Sequence, residues 1–212
     1  MSKKTRNILL ALYIVALSTL VTGATFAFFT VIKVSNVSPR LDVETANLNF
    51  ISFDIGNPIF INPTVENFKE GMDSLSDSTF ASAFLRRDQG SEKTMVDYNV
   101  LLNIEENTLT YSTSNNSPEL LIKVIGPSGE EIKEIEGLDY VTVTDNKGVI
   151  ISGFDITTKI GTFYITKNRH LETESEVLEK WNAEVTYVNL SESQDGNLDK
   201  KLNGYIRIEK SE

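Results

Sequence analysis

Val96-Asp97-Tyr98-Asn99-Val100-Leu101-Leu102-Asn103-Ile104 places an apolar side chain at every second position. Successive side chains of a β-strand point to opposite faces, so Val96, Tyr98, Val100, Leu102 and Ile104 line one face and polar groups take most of the other. The pattern returns at Trp181, Ala183, Val185 and Tyr187, and again at Leu202, Gly204, Ile206 and Ile208. Three strands that each bury one face need a second layer to bury it against.

Outward from these strands, turn residues punctuate the chain. Leu120 to Ile125 and Glu130 to Ile135 flank Gly126-Pro127-Ser128-Gly129, which predicts a β-hairpin. Tyr140 to Thr144 and Val149 to Ser152 flank Asp145-Asn146-Lys147-Gly148 and predict another. Leu48 to Phe53, Thr79 to Leu85, Ile160 to Thr166 and a short Leu109 to Ser112 also read as strands. Two stretches break the strand pattern. Phe68, Met72 and Leu75 fit a short helix or turn within Val65 to Asp77, and the polar Lys167 to Lys180 allows a helical turn around Val177 and Leu178. Eight or nine short strands at sandwich-like spacing predict an all-β fold, a single β-sandwich of jelly-roll or Ig-like type over residues 33–212.

Ahead of it, residues 7–32 (NILLALYIVALSTLVTGATFAFFTVI) carry no charge, and Lys3, Lys4 and Arg6 precede them. As a helix rising about 1.5 Å per residue, this run exceeds the ~30 Å hydrocarbon core. The basic flank keeps Met1 in the cytoplasm and sends everything after Lys33 outside. Residues 1–32 are therefore either a membrane anchor or a signal peptide, with small-residue cleavage sites ending at Ala24 and Ala27.

Composition agrees with export. The net charge is −10 although the first six residues are basic, so the remainder repels nucleic-acid phosphates. With no cysteine there is neither a disulfide framework nor a thiolate metal site. Catalytic signals are thin. His170 is the sole histidine and reads as a surface loop residue; no paired-histidine zinc motif and no G-x-S-x-G elbow occurs. Asp195-Gly196-Asn197-Leu198-Asp199, and Asp139 with Asp145-Asn146, could offer oxygen ligands to calcium. These are equally the residues that hairpin turns use, and the turn reading is preferred. No catalytic residue, cofactor or metal is assigned. Among the aromatics, Trp181, Tyr98 and Tyr187 are expected in the core between sheets with Val96, Val100, Ile122, Val124 and Val185.

Lys3-Lys4, the long apolar run and Gly23-Ala24-Thr25-Phe26-Ala27-Phe28-Phe29-Thr30 resemble the signal region of camelysin/TasA-like proteins, exported Gram-positive proteins processed by a SipW-type signal peptidase. The resemblance covers about the first thirty residues. It implies a non-enzymatic surface or biofilm-matrix protein, a fibre subunit in which the mature N-terminal segment adds as a strand to a neighbour's sheet. The donor strand would then be Phe28-Phe29-Thr30-Val31-Ile32-Lys33-Val34, freed by cleavage near Ala27. The expected partners are the membrane before processing, and afterwards further copies or other surface proteins. The competing expectation is a membrane-tethered adhesin or carbohydrate-binding module, which would show an exposed aromatic groove in place of a free sheet edge.

Overall fold

A computed structural model describes residues 41–44, 50–69, 71–87 and 94–211. The N-terminal segment, with Ala24, Ala27 and Phe28 to Val34, lies outside these residues. Among the described residues no helix is long and apolar enough to cross a membrane.

Eleven strands are formed: β1 (Leu41–Glu44), β2 (Phe50–Ile55), β3 (Ile59–Ile61), β4 (Leu75–Arg86), β5 (Thr94–Asn107), β6 (Leu120–Ile125), β7 (Tyr140–Thr144), β8 (Ile150–Asp155), β9 (Gly161–Thr173), β10 (Glu176–Tyr187) and β11 (Leu202–Lys210). They build two antiparallel sheets. The larger has the order β1-β2-β4-β10-β6-β8-β7 and the smaller the order β3-β11-β5-β9.

Alternation explains the layering. In β10, Trp181, Ala183, Val185 and Tyr187 are buried, while Asn182 and Glu184 are exposed. Val96, Tyr98, Val100, Leu102 and Ile104 of β5 are buried likewise, and the two rows belong to one apolar cluster between the sheets. Ile122 and Val124 from β6, with Ile206 and Ile208 from β11, extend it on either side. Every residue expected at the centre of the core is there.

The sheets are also joined by polar groups. Trp181 Nε1 donates to the Tyr98 hydroxyl across the gap at 3.1 Å, and Tyr98 donates in turn to Glu179. Arg169, on β9, grips the same carboxylate through Nη2 at 2.6 Å and Nε at 3.2 Å. Burial, then the Glu179 hydrogen bond, pushes the Tyr98 hydroxyl well above its ordinary pKa. This chain of contacts fixes the spacing between β9 and β10 where a short turn at Glu174-Ser175 passes the chain from one sheet to the other.

Four local expectations are corrected. The polar Lys167 to Lys180 stretch is extended, forming the end of β9 and the start of β10, and contains no helical turn. Its polar residues suit a strand pair with exposed faces. Leu109 to Ser112 is not a strand, because side chains take its backbone groups: Leu109 N–H donates to Asn107 Oδ1 and Thr110 N–H to Asn197 Oδ1. Glu130 to Ile135 makes only isolated bridges, Ile125 with Glu131 and Ile135 with Leu138. Within Val65 to Asp77 the helical piece shrinks to a 3-10 turn, Val65–Phe68, and β4 begins at Leu75. Phe68 still packs edge-on against Tyr187, at 5.8 Å between ring centres.

Trp181 is 2% exposed and pinned at its nitrogen, so Trp181→Ala both opens a cavity and removes one of the two hydrogen bonds of the Tyr98 hydroxyl. Equilibrium chemical denaturation is expected to show a loss of about 3–5 kcal/mol. A loss under about 1 kcal/mol would mean the two sheets are not held at this residue.

Candidate functional site

An open sandwich has sheet edges, and each edge strand presents main-chain N–H and C=O groups that lack a ladder partner. Among the described residues the free edges differ sharply. β1 is four residues long. β3 is three residues long, and its Phe60 N–H is taken by the Asp77 carboxylate at 2.8 Å. β9 carries Lys167, Arg169 and Glu172, and its ladder to β5 is broken by register shifts near Asn168, whose φ is +52°. The half of β10 that runs past the end of β6 carries Glu176, Glu179 and Lys180. Charges, bulges and short length all discourage pairing with another chain.

β7 carries neither charge nor bulge. Its sequence is Tyr-Val-Thr-Val-Thr, uncharged and rich in β-branched residues, and its pairing with β8 runs without a register shift. The hairpin that delivers it is firmly made. Asp145 Oδ1 accepts the N–H groups of Lys147 at 2.9 Å and Val149 at 2.7 Å, and Gly148 closes the turn at φ +81°, a conformation natural to glycine. Tyr140 stacks edge-on against Phe154 at 5.2 Å and donates its hydroxyl to Glu131. That hydrogen bond, above all, raises the Tyr140 hydroxyl to about 12.

The hydrogen-bond phase of β7 follows from its two ends. Asp155 N–H donates to Asp139 O and Asp145 N–H donates to Val149 O, so the odd-numbered residues bond across to β8. Val141 and Val143 are thereby satisfied. The backbone groups of Tyr140, Thr142 and Thr144 point the other way, off the end of the sheet. Thr142 and Ser152 fit this phase, since side chains of a non-hydrogen-bonded pair approach closely, and their hydroxyls lie 3.0 Å apart.

Near one end of the sandwich a buried polar hub holds the loops. Glu119 is fully buried, and its carboxylate accepts from Ser112 Oγ at 2.8 Å, Tyr187 Oη at 2.7 Å, Gln194 Nε2 at 2.9 Å and Asn197 Nδ2 at 2.9 Å. Sequence reading missed this hub, because the five residues gather from separated segments and follow no spacing rule. The Asp195–Asn197 segment, weighed as a calcium loop, is a 3-10 turn whose Asn197 amide is spent on Thr110 and Glu119. Among the described residues, no three His, Cys, Asp or Glu side chains gather in a way that could hold a metal ion.

His170 sits on strand β9 and not in a loop, exposed, with Nδ1 2.7 Å from Asp97 and Nε2 3.6 Å from Glu172. The Asp97 hydrogen bond, aided by Glu172, raises its pKa above 6.5. On the outer face of the larger sheet, two open depressions of about 390 and 460 Å³ share Lys123 and Glu184. Their one aromatic, Phe80, has Lys180 Nζ 4.4 Å from its ring centre. The expected signal-cleavage residues Ala24 and Ala27 and the expected donor residues Phe28, Phe29, Thr30, Val31, Ile32, Lys33 and Val34 lie outside the described residues.

The described residues form an all-β fold of two antiparallel sheets, and β7 is an uncharged edge of the larger one. The chain matches no protein-family model, and no curated protein matches it.

Two outcomes check the local geometry. Glu119→Ala leaves several buried donors without an acceptor and is expected to cost about 3 kcal/mol or more, against about 1–2 for Tyr187→Phe, by chemical denaturation. Equal costs would remove Glu119 from the centre of the hub. For His170, a proton-NMR titration is expected to give a pKa above 6.5, moving down toward that value in Asp97→Asn. Because the folded value is raised, the stabilisation is complete below about pH 6.5 and fades as pH rises through the folded pKa.

Proposed function

We propose that this protein is a non-catalytic, exported structural subunit that assembles at the cell surface or in an extracellular matrix by strand addition. The observation that carries this reading is β7, an uncharged edge strand that aims the backbone groups of three residues away from its own sheet. An extended peptide satisfies such an edge through main-chain hydrogen bonds. The donor is the segment Phe28 to Val34 of another copy, apolar and β-branched, released by cleavage after Ala27 from an N-terminal membrane-inserted segment. The resemblance of residues 3–30 to the SipW-processed, camelysin/TasA-like signal region supports the same reading.

Burial of the aromatics supports it against the sugar-binding alternative. Trp181, Tyr98 and Tyr187 are among the largest fully buried side chains and fill the space between sheets. The open outer depressions offer a single phenylalanine ring, already faced by a lysine. A glycan groove built on stacking would need those rings outside.

Deleting Phe28 to Val34 from the exported protein is expected to leave a folded monomer, with unchanged thermal unfolding, that no longer forms polymers in analytical ultracentrifugation. Polymerisation that proceeds equally well without those residues would remove the mechanism.

A further inference from the structure

The acceptor edge has charged ends, and they select both the partner strand and its register. β7 is five uncharged residues bounded by Asp139 and Asp145. Two copies of β7 pairing with each other about Thr142 would set Asp139 of each against Asp145 of the other. Like charges directly opposite destabilise an antiparallel pair, so a second β7 is a poor occupant. The segment Phe28 to Ile32 is also five uncharged residues, and its ends are cationic. Cleavage after Ala27 leaves an α-ammonium on Phe28, and Lys33 follows Ile32.

Resting on the strand-addition reading, we infer that Phe28–Ile32 of one processed copy pairs antiparallel with β7 of another, with Lys33 against Asp139 and the amino terminus beside Asp145. Every pair in both sheets is antiparallel, and the antiparallel ladder is the more stable. Asp139 is exposed and within reach of a lysine, whereas Asp145 is buried and already accepts two N–H groups of its own turn. In this register Ile32 faces Tyr140, Thr30 faces Thr142 and Phe28 faces Thr144. These are the three β7 residues whose backbone groups point outward. The N–H of Thr30 therefore enters the ladder, and that of Val31 points away from it.

A charge swap in the processed protein tests the register, with self-association read by sedimentation at low salt. Lys33→Glu and Asp139→Lys are each expected to weaken assembly on the order of tenfold, and the double variant to recover most of it. Unchanged single variants, or a double variant as weak as the singles, would overturn the register while leaving strand addition standing. A processed wild-type protein that stays monomeric would overturn both. A second pair of variants leaves the sandwich untouched. Thr30→Pro removes a ladder donor and is expected to weaken assembly far more than Val31→Pro, which does not. Equal effects of the two prolines would contradict the phase.

Discussion

The apolar row of β10, Trp181 to Tyr187, must be covered, and the apolar face of the smaller sheet covers it, with Tyr98 of β5 meeting Trp181. Everything else in the fold is arranged around that contact. Each strand can bury only one of its faces, so the chain supplies two sheets and presses their apolar faces together. The larger sheet extends from β10 in both directions, and the smaller one is centred on β11 and β5. A sandwich made this way is not closed, and unpaired edges are its direct consequence. What the protein does with those edges is the functional question.

Polar contacts sharpen what burial alone leaves loose. Apolar packing resists separation of the sheets but tolerates sliding, whereas the Trp181–Tyr98–Glu179–Arg169 chain fixes one relative position. Glu119 does the same for the loops, drawing Ser112, Tyr187, Gln194 and Asn197 onto one carboxylate. A buried polar hub is costly unless all its partners are in place, so it favours a single loop arrangement. In a chain without cysteine, these networks occupy the place of cross-links.

The fold class was legible because it rests on period-two alternation, and β5, β10 and β11 show that period plainly. The core around Trp181, Tyr98 and Ile122 followed from the same rule. Errors arose where local polarity stood for conformation. Lys167 to Lys180 is polar because the strands there have exposed faces, and Leu109 to Ser112 is apolar enough for a strand but spends its backbone on Asn107, Asn197 and Glu119. The candidate site was half legible. Tyr140 to Thr144 read as a hairpin strand, but strand order is a long-range property that no local pattern encodes. Only the topology places it at the margin. The distinction between β7 and two of the other edges then becomes visible in sequence terms, as an absence of the charges that β9 and the free half of β10 carry.

Amide hydrogen exchange at β7 tests the central claim most directly. In the monomer, the N–H groups of Tyr140, Thr142 and Thr144 should exchange rapidly while those of Val141 and Val143, bonded to β8, are protected. On assembly, the first three should become protected and the valines should change little. Outward amides that are as slow as the valines in the monomer, or that stay fast in the assembled protein, would contradict β7 as the joining edge.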